Sequence, residues 1–456
     1  MSTLAQLKKW FDQHRDVVRD DYFHFLRFKS ISTDPEFAPE VKRCAEWLKG
    51  YIVKNTAMKA EVLQTEGYPL VYAEDLRAGP GAPTVLIYGH YDVQPVEPLE
   101  LWKSDPFEPT ERNGNVYARG AVDDKGQIFY AVTAMKAWKE LGKQLPVNVK
   151  FCIEGEEESS SKGLSQSLSQ LKEKLKADSL LVIDFDQFDK ETPALSLGAR
   201  GILAMEVTLT GSKGDLHSGI HGGMAYNPNK ALIQLLSKLW DENGRVTVKG
   251  FYDDVLETTE EERNRFAFRY DKESYCKEFE IGALGGEKGR TLAENNFFRP
   301  TLEINGISGG HTGVGFKTVI PAQANAKISC RLVPNQDPKK LFSLISEFLK
   351  KNVVAGMKIK VTDLGGEPAF RGSPDSALAK AVSLAASEVM EKSCKNILSA
   401  GSIPIVAKMI SELGFEVVGM GYGLATDEIH APNEHFDMVR FKHGFLTVAR
   451  TLDLLI

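Results

Sequence analysis

Histidine and carboxylate side chains recur in this chain at the ends of short apolar runs, in five separate stretches. They are Gly89-His90-Tyr91-Asp92, Gly120-Ala121-Val122-Asp123-Asp124-Lys125-Gly126, Glu154-Gly155-Glu156-Glu157-Glu158, Ile183-Asp184 and Glu428-Ile429-His430-Ala431. Imidazole and carboxylate are the donors that a two-metal hydrolytic centre uses. Taken together, the stretches predict a metal-dependent amidohydrolase, with a peptidase as the first expectation.

Each stretch also has a plainer reading. His90 and Asp92 lie two apart at a strand end, where period-two geometry can put both on one face and let Asp92 orient the imidazole. They can equally be a loop His and a loop Asp. Asp123 and Asp124 sit between Arg119-Gly120 and the Gly126 that opens a helix. A carboxylate at 123 has two oxygens with which to bridge two cations, while Asp124 suits the cap of the helix that follows. Residues 154–158 hold four carboxylates in five positions, which repel one another unless a cation or solvent offsets them. A solvated acidic turn meets that requirement; so does a division in which one of Glu157 and Glu158 faces a metal and the other faces water. Asp184 ends the run Leu180-Leu181-Val182-Ile183, where an unpaired carboxylate is costly. Metal ligation removes the cost, as does a strand-end hydrogen-bond network. His430 lies in an irregular segment, 425–434, and a lone loop His is commonly a surface residue. His14, His24, His435 and His443 fall in helical or near-helical contexts and receive no role.

The elements that have to position these residues follow from periodicity. Apolar spacing of three and four predicts helices over 4–28, 41–53, 126–141 and 161–175, and short apolar runs predict strands over 84–88, 147–153 and 179–183. Such alternation argues for an α/β sheet covered by helices, with ligands at the carboxyl ends of its strands. From about residue 200 the pattern changes: strand 202–210, a Gly- and His-containing turn over 213–223, helix 228–242, a charged stretch over 253–277, a flexible loop over 306–313, strands 324–332 and 357–361, and helix 338–353 between them. The last stretch resumes the opening style with helices 376–390 and 402–413, strand 415–420 and a final helix from Met438. The expected organisation is therefore a catalytic domain of 1–200 and 379–456, interrupted by a smaller α/β domain of 201–378.

Composition bounds the function. The chain has 456 residues, 42% hydrophobic and 26% charged, with net charge −6. No segment concentrates Lys and Arg into a basic face, which argues against a nucleic-acid partner. Five scattered cysteines, Cys44, Cys152, Cys276, Cys330 and Cys394, without a Cys-x-x-Cys pair, fit reduced thiols in a cytoplasmic protein. Residues 1–20 lack the apolar core of a signal peptide, and no run approaches the ~18 apolar residues of a membrane span.

The set of motifs resembles the M20 metallopeptidases, most nearly the branch containing cytosolic non-specific dipeptidase and carnosinase-type enzymes. Beyond the five stretches, the likeness is carried by Asp215-Leu216-His217-Ser218-Gly219, Lys317-Thr318-Val319-Ile320-Pro321, Arg331-Leu332-Val333-Pro334-Asn335 and Gly401-Ser402-Ile403-Pro404. The resemblance implies a zinc-peptidase-like α/β catalytic domain with a mostly parallel sheet, and an inserted lid and dimerisation domain. It implies two divalent metal ions, zinc first and manganese or cobalt as alternatives, with His90 and Asp184 on one, Glu158 and His430 on the other, and Asp123 bridging. It also implies Glu157 as general base, Asp92 as the residue orienting His90, and a cis peptide between Asp123 and Asp124. His217 would reach the active site of a partner subunit in a homodimer, and Thr318, Arg331 and Ser402 would hold the free carboxylate of a small peptide substrate. Carnosinase-like members have a His where this chain has Leu364, so one polar substrate contact is absent. The expected reaction is dipeptide hydrolysis; an N-acyl amino acid deacylase and a non-catalytic binding protein are the alternatives.

Overall fold

A computed structural model describes residues 3–401 and 403–455. Ser402, an expected substrate contact, lies outside the described residues. The chain divides into two compact units, Met1–Gly198 with Arg371–Leu398 and Lys408–Ile456, and Ala199–Phe370 with Ser399–Ala407. The sequence placed the insert at 201–378. No helix among the described residues is long and apolar enough to cross a membrane. All five cysteines are free thiols, with Cys44, Cys152 and Cys330 buried.

The first unit is organised on a nine-stranded sheet. At its heart Thr84–His90 pairs in parallel with Asn148–Glu154 on one side and Ser179–Val182 on the other, and the latter pairs in parallel with Glu416–Met420. These strands are mostly apolar and show no in-out alternation of burial because both faces are covered: every residue of Asn148–Glu154 is buried, as are all but the first of Thr84–His90. Three strands outside this core pair antiparallel, Leu70–Asp75 against Asn148–Glu154, Lys59–Leu63 against Leu70–Asp75, and Ala194–Ala199 against Glu416–Met420.

Helix Lys125–Glu140 is buried all round from Lys125 to Trp138, the pattern of a central helix instead of a surface one. It packs against Thr3–Leu26 and the terminal helix Met438–Leu454. The ring of Phe129 lies within 6.4 Å of those of Tyr22, Phe25, Trp47, Tyr51 and Phe441. The aromatic packing fixes the helix whose first turn follows Asp123 and Asp124.

The second unit carries a four-stranded antiparallel sheet, in the order Thr301–Ser308, Gln323–Leu332, Gly201–Thr210, Lys358–Glu367. Burial along Gly201–Thr210 alternates without exception, as expected for a sheet with one face on a core. Leu203, Met205, Val207 and Leu209 meet Leu232 and Leu235 of helix Pro228–Leu236 and Leu341, Ile345 and Leu349 of helix Pro338–Asn352. Two expectations need correcting here. The loop expected over 306–313 begins inside a strand: Thr301–Ser308 keeps pairing past Gly306 after a bulge between Ile304 and Gly306, which absorbs the glycine without ending the ladder. The helix expected over 228–242 stops at Leu236 and continues only as the 3-10 turn Ser237–Leu239. The charged stretch carries two short helices, Glu260–Asn264 and Lys272–Glu278, capped by Thr259 and Asp271.

Candidate metal centre

The parallel register delivers the candidate ligands to one edge of the first unit's sheet. His90 and Glu154 are the last, mutually paired residues of their strands, and Asp184 follows the neighbouring strand by two residues. Glu157 and Glu158 open a 3-10 turn just beyond. His90 Nε2 lies 3.1 Å from Asp123 Oδ1, and His430 Nε2 lies 2.9 Å from Asp123 Oδ2. Each oxygen of one carboxylate thus faces a different imidazole. Glu158 Oε1 is 3.3 Å from His430 Nε2, and Asp184 Oδ2 is 3.9 Å from His90 Nε2. Two groups of donor atoms, His90/Asp123/Glu158 and His90/Asp124/Asp184, each converge within 4.8 Å. The peptide bond between Asp123 and Asp124 is cis.

The shell behind these residues is hydrogen-bonded throughout. The carboxylate of Asp92, fully buried, accepts from the amides of Glu157 at 3.1 Å and Glu158 at 3.0 Å and from the hydroxyl of Ser32 at 2.6 Å. Its Oδ1 is 3.4 Å from His90 Nδ1, while its backbone carbonyl is closer to that nitrogen, at 3.1 Å. One side chain therefore ties the His90 strand end to the turn that bears both glutamates. Gln94 donates to Glu158 Oε2 at 2.6 Å.

Electrostatics set this cluster apart from a solvated acidic turn. Burial pushes the Asp184 carboxyl up to about 7, with Asp123 adding to the shift. Burial also raises Glu157 well above the ordinary carboxylate range, with His90 opposing and Asp184 and Glu158 reinforcing. Hydrogen bonds to Asp123 and Glu158 raise His430 to about 10. Burial disfavours charge on His90, but the Asp123 and Asp92 carboxylates outweigh it and hold the imidazole well above its usual value. Buried carboxylates crowded against two imidazoles are a donor set that divalent cations satisfy, so these residues fit a two-metal group. Glu154, read in the sequence as one of several interchangeable acids, is apart from this set: it is buried, and its Oε1 accepts from the hydroxyls of Tyr88 and Ser161.

Asp124 departs from the expected helix cap. It precedes Lys125–Glu140, but its side chain makes no capping hydrogen bond. Oδ2 accepts from the His90 amide at 3.1 Å, and the buried Oδ1 has no hydrogen-bond partner among the described residues. The carboxylate is aimed back at the strand end, with His90 and Asp184, because residue 89 is a glycine that leaves room for it. Burial, followed by Asp184, holds its carboxyl well above the ordinary range. Sequence reasoning also passed over Glu434 and Gln94. The signal for Glu434 was its place four residues after His430; the signal for Gln94 was its place two residues after Asp92.

The remaining expected site residues belong to the second unit. His217 is exposed, and its Nδ1 accepts from the Gly219 amide at 3.0 Å. Strand Leu216–His217 pairs with Val319–Ile320, and the Ser218 amide donates to the Thr318 carbonyl at 3.1 Å, which places Thr318, just ahead of its strand, beside the segment that carries His217. Arg331 lies on Gln323–Leu332 opposite Ile202 and Thr301; it is half-buried, and burial lowers its pKa. Leu364 is exposed, next to Gly365 with φ 98°.

Comparison with known proteins matches residues 86–454 to the peptidase family M20/M25/M40. The chain is 30% identical to the Cys-Gly metallodipeptidase of Schizosaccharomyces pombe over 97% of its own length and 96% of that protein. It is 31% identical to the Beta-Ala-His dipeptidase of Homo sapiens over 96% and 91%. Among solved structures, an M20 family metallo-carboxypeptidase from Sulfolobus solfataricus superposes with a TM-score of 0.85 at 36% identity, covering 96% of this chain and 99% of that one.

Proposed function

Because the chain belongs to peptidase family M20/M25/M40, we propose that it is a metal-dependent dipeptidase, hydrolysing small peptides that carry a free C-terminal carboxylate. The observation that carries this reading is the Asp123 carboxylate, with one oxygen toward each of two imidazoles. His90 and Asp184 would hold one divalent cation, Glu158 and His430 the other, and Asp123 both. Zinc suits this mixed imidazole and carboxylate set, as do manganese and cobalt. Bound there, the pair would supply Lewis acidity, which makes water nucleophilic near neutral pH and polarises the scissile carbonyl.

The chain's own residues divide the rest. Glu157 takes the proton of the attacking water as the C–O bond forms and returns it to the departing amine nitrogen as the C–N bond breaks. Asp92, anchored by three donors, keeps His90 and the Glu157–Glu158 turn in fixed relation. His217 donates to the developing oxyanion from a second subunit, and Thr318, Arg331 and Ser402 receive the substrate carboxylate, Arg331 through its guanidinium fork. A homodimer is supported by exposed apolar side chains in the segments that bear His217 and Thr318: Ile220 and Met224 in the first, Val314 and Phe316 in the second. In this reading the second unit acts as the lid and dimerisation domain, and the free thiols are consistent with a cytoplasmic protein.

A panel of dipeptides, tripeptides and N-acyl amino acids, assayed with chelator and after add-back of zinc, manganese or cobalt, tests the proposal. Chelator-sensitive cleavage of dipeptides above the other classes is the expected result. Preferential removal of the last residue from longer peptides would identify a carboxypeptidase, and preference for N-acyl substrates a deacylase; either outcome overturns the dipeptide assignment.

A further inference from the structure

We infer that Glu434 is a positioning residue for the metal centre: its carboxylate locks the Asp123 turn to the His430 loop, so that the two ligands are fixed relative to each other before a cation arrives. The inference rests on the proposed function, since it takes Asp123 and His430 as cation ligands.

Glu434 is fully buried, and its two oxygens accept four hydrogen bonds from the segment ending in Asp123. Oε2 accepts from Arg119 Nη1 at 2.8 Å and from the Gly120 amide at 2.9 Å. Oε1 accepts from the amides of Val122 at 3.0 Å and Asp123 at 3.1 Å. The Glu434 carbonyl adds a fifth tie by accepting from the Ala118 amide at 3.2 Å. Donors face both oxygens, so an ionised carboxylate fits and an amide does not. Whichever way a glutamine is turned, its NH2 group points at two N–H donors.

The loop at the other end of this clamp adopts backbone that needs outside support. Glu428, His430 and Asn433 all have left-handed φ, at 56°, 60° and 70°, a region that persists at non-glycine residues where the surroundings enforce it. Asp427 is held by Arg440 through both oxygens, at 2.5 and 2.7 Å, and accepts from the Leu424 amide. Asn433 accepts from the Lys103 amide and donates to the Leu101 carbonyl, each at 2.9 Å. Those ties anchor the loop to the body of the unit. Glu434 ties it to the backbone of Asp123 itself, four residues from His430, whose ring is half-exposed. Holding a ligand's backbone in place is how outer partners raise metal affinity.

The test is titration of metal-free protein with Co2+, read by visible absorption and by bound metal, in the wild type, Glu434→Gln, Glu434→Asp and Leu452→Ala. Leu452 is a buried core residue of the terminal helix and serves as the stability control. The wild type should take up two equivalents. Glu434→Gln should lose at least about tenfold in affinity for one of them, with an altered cobalt spectrum, the scale expected when an outer partner of a ligand is removed. Glu434→Asp, one methylene too short to reach both donor pairs, should fall between the two, and it decides the matter if the glutamine variant does not fold. Leu452→Ala should lower Tm and bind cobalt as the wild type does. Wild-type affinity and spectrum in both Glu434 variants would overturn the inference, as would loss of cobalt from Leu452→Ala in step with its Tm. A wild type that binds no cobalt would sink the metal-centre reading itself, and is recognisable because variant and wild type would then be equally empty.

Discussion

Gly89 leaves the space that the Asp124 carboxylate fills: a Cβ at residue 89 would stand 2.5 Å from Asp124 Oδ2 and 3.1 Å from Ile128 Cδ1. Asp124 cannot retreat without abandoning the His90 amide, to which the same oxygen is bonded at 3.1 Å. Gly89→Ala therefore shifts the His90 strand end relative to Asp123 and Asp184. The expected cost is about 1–3 kcal/mol in chemical denaturation, the range for an overpacked core, together with weaker metal uptake on titration. Wild-type uptake in a stably folded Gly89→Ala would show that the strand end has slack.

Glu157→Gln separates proton transfer from metal binding. The side chain keeps its size and loses its basicity, and the backbone amide that anchors it to Asp92 is untouched. We expect kcat to fall by about 10²–10⁴, the range for a general acid–base group, with both metals still counted by elemental analysis. Loss of metal in this variant would make Glu157 a ligand instead of a base.

The parallel strands and the residues at their ends were legible in the sequence because buried strands in an α/β sheet are largely apolar runs: Val85 to Tyr88 and Leu180 to Val182 are unbroken, and Val149 to Ile153 is broken only by the buried Lys150. The antiparallel strand Lys59–Leu63 was not legible, being half-exposed and too short for its alternation to stand out. In the site, residue type and order marked His90, Asp123, Asp184 and the Glu157–Glu158 pair as candidates, while the place of His430 and the division between the two glutamates came from the resemblance to the M20 family. They were not enough to say which way Asp124 faces. A capping Asp and a buried Asp share one sequence context, and the outcome depends on a glycine 35 positions earlier that only the fold brings near. Glu434 is close to His430 in the chain, but what it does was hidden for a related reason: its partners lie more than 300 residues away.

Glu154 gives the folded protein a distinct pH dependence. Burial pushes its carboxyl from 4.5 up to about 8, so between those values the folded state holds a proton that the unfolded state releases. Stability from this group is complete below about pH 4.5 and is lost as pH rises through about 8. In the protonated state Oε1 accepts from Tyr88 and Ser161, while Oε2 has no hydrogen-bond partner among the described residues. Glutamine reproduces the acceptor and carries no charge. In metal-free protein, the Tm of Glu154→Gln should gain on the wild type by a few degrees between about pH 5 and about pH 9. A constant difference across that range would mean that Glu154 is ionised throughout.

His217 offers the sharpest test of whether a second subunit completes the site. His217→Ala should lower kcat by about 10²–10³, the cost of losing one oxyanion donor, while metal content stays at the wild-type level. If His217 serves the partner's site, mixing His217→Ala with Glu157→Gln restores activity. In each mixed dimer one site then combines an intact Glu157 with an intact His217 from the other subunit, and the second site carries both defects. Random exchange makes half of the dimers mixed, so about one quarter of wild-type activity should return. A site that draws both residues from one chain would recover nothing, however thoroughly the subunits exchange.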